Sequence, residues 1–131
     1  MENYCEKKRI LVIEDEVDFQ HILEQSLGKN YTLDFALDGE TGLDKINTND
    51  YDLLILDVNL PRMNGWDVLR EIRRSSDDKI KSLPVVMLTV RKEDQDQLTG
   101  LDMGADDYIP KPFNPPELIL RIDAVLRRAI A

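Results

Sequence analysis

Three stretches of the chain are apolar without a break: Ile10-Leu11-Val12-Ile13, Leu53-Leu54-Ile55-Leu56 and Val85-Val86-Met87-Leu88. A strand with one wet face alternates apolar and polar residues. A strand that does not alternate must be buried on both faces, as inside a parallel sheet covered by helices on either side. The segments between the runs have helical spacing. Residues 9–13 read as a buried strand and 16–27 as a helix, with Val17, Phe19, Ile22, Leu23 and Leu27 on one side and Gly28 closing it. Residues 31–36 form a weaker, alternating and less buried strand, and 39–46 a short helix. Strands at 52–57 and 84–89 flank a helix over 64–74, capped by Asn64, with Val68, Leu69 and Ile72 inward. Residues 75–82 read as a polar loop, 92–103 as a polar helix and 107–110 as a short strand. Pro115 and Pro116 open a last helix running to Ala129, with Leu118, Ile119, Ile122, Val125 and Leu126 on one face. Five βα units with right-handed connections predict a doubly wound α/β domain over 9–131, preceded by a tail at 1–8.

Such a sheet presents its chemistry at the carboxyl ends of its strands. The first run ends in Glu14-Asp15-Glu16, the third strand in Asp57, the fourth in Thr89 and the fifth in Lys111. Alone, an acidic pair after a strand is more often a solvated loop, and a single aspartate is as readily a turn residue as a site residue. Four such residues at four successive strand ends are a different matter. Glu14, Asp15 and Asp57 are hard oxygen donors suited to Mg2+, which takes few carboxylates and keeps several waters. Thr89 can donate a hydrogen bond, and Lys111 supplies a point charge. Cation, ammonium and hydroxyl together are what a phosphoryl group needs to move.

Composition narrows the partners. The net charge is −9 and the pI near 4.6. The chain alone should repel nucleic acid, where affinity comes from neutralising phosphates. No apolar run approaches the roughly 20 residues that span a bilayer. The first nine residues lack a signal-type apolar stretch, so a cytoplasmic location is expected. Cys5 is the only cysteine and cannot form an internal disulfide.

The segments Ile-Leu-Val-Ile-Glu-Asp-Glu (10–16), Leu-Leu-Ile-Leu-Asp-Val-Asn-Leu-Pro-Arg-Met-Asn-Gly (53–65), Pro-Val-Val-Met-Leu-Thr (84–89) and Gly-Ala-Asp-Asp-Tyr-Ile-Pro-Lys-Pro-Phe (104–113) resemble the receiver domain of bacterial response regulators. The resemblance covers about residues 8–128. It implies a flavodoxin-like (βα)5 fold, strand order 2-1-3-4-5. It makes Asp57 the phosphoacceptor, with Asp15 and Asp57 ligating Mg2+ directly, Glu14 through a water, and Asn59 by its backbone carbonyl. Thr89 and Lys111 would hold the phosphoryl group, and Tyr108 would be an aromatic switch following Thr89. Lys111-Pro112 matches the family's cis peptide. The donor would be a sensor histidine kinase or a phosphotransfer protein. The domain would promote only its own phosphorylation and dephosphorylation.

The last third looks like the winged-helix transcription-factor branch. There the helix before the last strand, that strand and the final helix form a symmetric dimer face. Asp106, Asp107, Arg121 and Arg128 match its cross-subunit ion pairs, whereas Gln97 and Asp123 replace basic residues, leaving Glu117 without its usual partner. A weak, phosphorylation-favoured dimer is expected; a solvated charged face accounts for the same residues. Val90 is larger than the family's usual residue after Thr89. Asn59 and Arg91 occupy positions that tune acyl-phosphate lifetime. Three rival classes fit less well, and one of them, a degenerate phosphorylation-independent binding module, is opposed by the complete Asp57, Thr89 and Lys111 set. A haloacid-dehalogenase-like phosphatase needs a general acid where Asn59 stands. A flavodoxin-type cofactor binder needs hydroxyl and glycine residues where Glu14-Asp15-Glu16 would repel phosphate.

Overall fold

A computed structural model describes residues 7–89 and 104–130. The expected helix at 92–103, with Val90, Arg91 and Gln97, and the cysteine at position 5 lie outside the described residues. Strands β1 (Lys8–Ile13), β2 (Tyr31–Ala36), β3 (Leu53–Asp57), β4 (Val85–Thr89) and β5 (Asp107–Pro110) form one parallel sheet in the order β2-β1-β3-β4-β5. Helices α1 (Val17–Leu27), α2 (Gly39–Thr48), α3 (Gly65–Arg73), α4 (Asp78–Lys81) and α5 (Pro115–Ile130) accompany it. The expected fold class and strand order are therefore found.

The unbroken apolar runs divide by parity. Leu11, Ile13, Leu54, Leu56, Val85 and Met87 point to one face, where Ile46 of α2 and Val68, Leu69 and Ile72 of α3 cover them. Ile10, Val12, Leu53, Ile55, Val86 and Leu88 point to the other, under Leu23 and Leu27 of α1 and Leu118, Ile122, Val125 and Leu126 of α5. All five residues of β3 and of β4 are buried. Each large aliphatic side chain so buried contributes about 1.5–3 kcal/mol. The edge strand β2 has only its end residues, Tyr31 and Ala36, buried. Its sequence alternates because Tyr31, Leu33 and Phe35 face the α1 and α5 side, while Thr32 and Asp34 face away.

Capping fixes where the helices start. Asn64 accepts from the Asp67 amide at 3.0 Å and opens α3. The Asn114 side chain accepts from the Glu117 amide at 3.2 Å. Pro115 and Pro116 between them have no amide hydrogen to satisfy. Two differences from the sequence reading have simple causes. Strand β1 takes in Lys8, assigned to the tail, because Lys8 pairs with Tyr31 on β2. The polar loop at 75–82 contains α4, capped by Asp77, which accepts from Lys79 and Ile80 amides at 2.9 and 3.3 Å. A single turn is too short to show a period.

Arg73, which nothing in the sequence singled out, ties α3 to the sheet. Its guanidinium donates to the carbonyls of Leu83 at 2.6 Å, Lys81 at 3.0 Å and Gly104 at 2.5 and 3.0 Å. It also pairs with Asp106 at 3.3 Å. Gly104 has φ +97, and a Cβ there would lie 2.8 Å from Arg73 Nε, so glycine serves both conformation and approach. The Asp106 carboxylate meanwhile accepts from the Val85 amide at 2.8 Å. Arg73→Ala should lower stability by about 2–3 kcal/mol through carbonyls left without a donor. A urea unfolding midpoint unchanged from wild type would rule out that role.

Candidate functional site: the carboxyl edge of the sheet

Parallel register decides which strand ends meet. Ile13 is level with Leu56, Asp57 with Leu88, and Thr89 with Pro110. Backbone bonds carry the ladders past the last paired residues. Glu14 N–H donates to Ala36, Val58 N–H to Leu88, and Lys111 N–H to Thr89, at 2.9–3.0 Å. Glu14, Asp57, Thr89 and Lys111 therefore converge at one edge. Tyrosine aside, these four are the only polar or charged residues buried among those described. A folded chain buries such groups only where they satisfy one another.

Lys111 is the centre of the arrangement. Its Nζ lies 2.8 Å from Glu14 Oε1, 3.2 Å from Asp57 Oδ2 and 3.6 Å from Glu16 Oε1. The Lys111-Pro112 bond is cis, as the resemblance implied. Glu14 Oε2 accepts from the Glu16 amide at 3.0 Å, and Asp57 Oδ1 from the Asn59 amide at 3.1 Å. Behind Asp57 sits Gly65. Its amide donates to Val58 O at 2.8 Å, and a Cβ on it would lie 2.4 Å from Asp57 O and 2.9 Å from Val58 Cα. Both obstacles are backbone, so only glycine lets α3 start directly beneath the aspartate.

Charge is out of balance at this edge. Burial pushes the Glu14 carboxyl up to about 7, with Asp57 adding to the rise and Lys111 and the Glu16 amide opposing it. Burial likewise raises Asp57, against the pull of Lys111. Burial alone would depress Lys111, but Glu14 and Asp57 outweigh it and its pKa rises. One ammonium thus faces two buried carboxylates, with exposed Asp15 alongside. Carboxylate oxygens of Glu14, Asp15 and Asp57 lie within 4.8 Å of one another. A hard divalent cation fits that donor set and would offset the excess negative charge.

The other expected site residues are placed around this centre. Tyr108 is buried, level with Met87, with its ring centroid 6.1 Å from that of Trp66. The expected dimer-face residues already have partners within the chain. Arg121 pairs with Glu117 at 2.9 Å and Asp107 at 3.3 Å and donates to Tyr108 O at 2.6 Å. Asp106 pairs with Arg73, and Arg128 donates to Asp106 O at 3.5 Å. Glu117 therefore has a partner, Arg121, one turn along its own helix. Asp123 accepts from the hydroxyl of Tyr31 on β2, nearly opposite Arg121 around α5. Two contacts escaped the sequence reading. Phe19, counted there as a core position, has its ring 4.2 Å from Lys111 Nζ. Gln20 donates to Glu14 O at 2.7 Å.

Fold and site together define a doubly wound α/β domain with an acidic, cation-competent pocket at its carboxyl edge. The model for the response regulator receiver domain matches residues 10–123, and the chain belongs to that family, the phosphorylatable signalling domains of two-component systems. Response regulator ArlR of Staphylococcus haemolyticus is 46% identical over 120 residues, covering 91% of this chain and 52% of that protein. ArlR of Staphylococcus aureus strain Mu50 is 45% identical over 121 residues, covering 92% and 53%. The chain thus spans about half the length of the curated relatives it matches. Among solved structures, chemotaxis response regulator CheY4 of Vibrio cholerae superposes with TM-score 0.83 at 27% identity, covering 92% of this chain and 99% of that one. The BeF3-activated DrrB receiver domain gives TM-score 0.80 at 29% identity, covering 93% and 99%. Receiver domains bind Mg2+ at an acidic pocket, and Glu14, Asp15 and Asp57 supply one here.

The raised carboxyls set a pH dependence. Glu14 rises from 4.5 to about 7 on folding, so the folded state holds its proton more tightly than the unfolded. Its contribution is full below about pH 4.5 and is lost as pH climbs through about 7. Asp57 acts with the same sign. A bound Mg2+ would favour the deprotonated carboxylates, so the rise in Tm on adding MgCl2 should be larger at about pH 8 than at about pH 5.5. Equal rises at the two pH values, read by circular dichroism, would contradict this assignment.

Proposed function

We propose that this domain accepts a phosphoryl group on Asp57 from a histidine kinase or phosphotransfer protein and relays that event to an output. The observation that carries the reading is the buried set Glu14, Asp57, Thr89 and Lys111, gathered at the ends of four strands with the Lys111 ammonium against both carboxylates. A carboxylate oxygen of Asp57 attacks phosphorus in line. The new O–P bond forms as the bond to the donor nitrogen or oxygen breaks, and the leaving group takes the electron pair. A bound Mg2+, held by Glu14, Asp15, Asp57 and the Asn59 carbonyl, would neutralise charge spread over the phosphoryl oxygens. Lys111 and the Thr89 hydroxyl stabilise the same oxygens. The acyl phosphate is then lost by hydrolysis. Asn59 offers no carboxyl to act as a general acid for outside substrates, so turnover of other phosphate esters is not part of the reading.

Thr89 and Tyr108 would convert the event into a change of shape. Phosphorylation can shift two conformations only through contacts that differ between them. Thr89 touches the site, and Tyr108 lies two residues deeper on the adjacent strand's register. The curated relatives are named response regulators and extend well beyond the matched segment. We take the output to be control of transcription through a further part of such a protein, in the cytoplasm. Nucleic acid would not be bound by these residues, whose net charge is −9. No helix among the described residues is long and apolar enough to cross a membrane.

A symmetric dimer through Asp106, Asp107, Arg121 and Arg128 would require these side chains to exchange partners they already hold. Exposed pairs contribute only about 0–1 kcal/mol each, so the contact is weak. Sedimentation should show a monomer without modification and self-association after beryllofluoride and Mg2+ are added. An unchanged monomer in both states would remove the dimer from the reading.

The direct test is intact mass after incubation with acetyl phosphate. Wild type should gain one phosphoryl group with Mg2+ and none without it, and Asp57→Asn should gain none. A gain of the same size in Asp57→Asn would overturn the phosphoacceptor assignment.

A further inference from the structure

The Lys111 ammonium has one neighbour that carries no charge. Three carboxylates approach its ammonium, at 2.8, 3.2 and 3.6 Å. A fourth neighbour is the face of the Phe19 ring, 4.2 Å from Nζ to the centroid. The Lys111 side chain is only 3% exposed, so few waters solvate it. Most apolar surfaces would make that desolvation harder to tolerate. A ring face instead attracts the cation through its quadrupole.

The ring is itself braced. Phe113 lies with its centroid 6.0 Å from that of Phe19 and its plane tilted by 46°. Phe113 is two residues after Lys111, so the segment that delivers the ammonium also delivers one ring of the pair. Phe19 comes from the first turn of α1, directly after the acidic loop that carries Glu14, Asp15 and Glu16. The aromatic pair therefore joins the two segments whose side chains must stay in register across the site.

We propose that Phe19 is a positioning residue for Lys111: its ring face seats the ammonium against Asp57, and Phe113 holds the ring in place. This rests on Asp57 being the phosphoacceptor. The ring restrains where the nitrogen sits without fixing where its three N–H groups point. A carboxylate in that place would bind one N–H in a set direction and compete with the phosphoryl oxygens. The ring lets Lys111 turn from carboxylate to phosphoryl oxygen without travelling.

The test uses Phe19→Leu, which keeps apolar bulk and loses the ring face, and Phe19→Tyr, which keeps the face. Each is followed by the initial rate of phosphorylation by acetyl phosphate with Mg2+, and by the proton shifts of the Lys111 methylenes. Urea unfolding confirms that both variants fold, and Phe19→Met replaces the leucine variant if it does not. Phe19→Leu should be slower by about tenfold, and the upfield ring-current shift of the Lys111 methylenes should vanish. Phe19→Tyr should restore most of the rate and the shift. A leucine variant as fast as wild type, or a tyrosine variant as slow as leucine, overturns the role. If wild type itself takes up no phosphoryl group, the proposed function fails. The seating of Lys111 then stands or falls on whether its methylene shifts depend on the ring.

Discussion

One ammonium holds the functional edge of this molecule together. Burial pushes Glu14 and Asp57 toward their neutral forms, and Lys111 opposes that shift in both. The dependence is mutual, because a buried lysine without those carboxylates would lose its own proton more readily. Ion pairs this deep do not stabilise a fold by much once desolvation is counted, although breaking one leaves a buried charge uncompensated. The site is better understood as a standing imbalance of charge, two buried acids and one base, that a cation or a phosphoryl group can change. The remaining structure keeps that imbalance in place. Burial of the central strands on both faces leaves their ends no freedom to drift, and backbone bonds beyond the last ladder positions lock Glu14, Val58 and Lys111 to their neighbours.

How much of this was legible in the sequence follows from how far each signal reaches along the chain. The strands were plain because parity-free apolar runs have a single physical explanation, and Asp57, Thr89 and Lys111 were legible as the polar residues that end them. Asn64 was readable as a cap because its partner Asp67 is three residues on. Contacts across the fold left no such trace. Arg73 meets Gly104 thirty-one positions away, and one arginine among three at the end of a helix looks like its neighbours. Phe19 fell on the helix face assigned to the core, and only the structure shows that its ring serves a cation as well. Helix α4 went unread because one turn has no period, and Asp77 resembles any aspartate in a polar stretch.

The charged residues at β5 and on α5 admit two readings. Asp106, Asp107 and Arg121 suggested contacts between two chains, and each has a partner inside one. A charge pattern specifies complementarity without specifying whose complement it is. Asp106 is the clearest case, since its carboxylate serves both the Arg73 guanidinium and the amide that begins β4. A residue with two such internal duties is part of the frame on which any outer surface is built.

The contact between Trp66 and Tyr108 has a consequence of an optical kind. Trp66 is the only tryptophan in the chain, and its ring lies against the ring that sits two register positions below Thr89. The emission of an indole depends on the polarity and packing within a few ångströms of it. Any rearrangement that moves Tyr108 therefore alters the surroundings of a single native fluorophore. The molecule carries its own unlabelled reporter beside the residue proposed to follow Thr89.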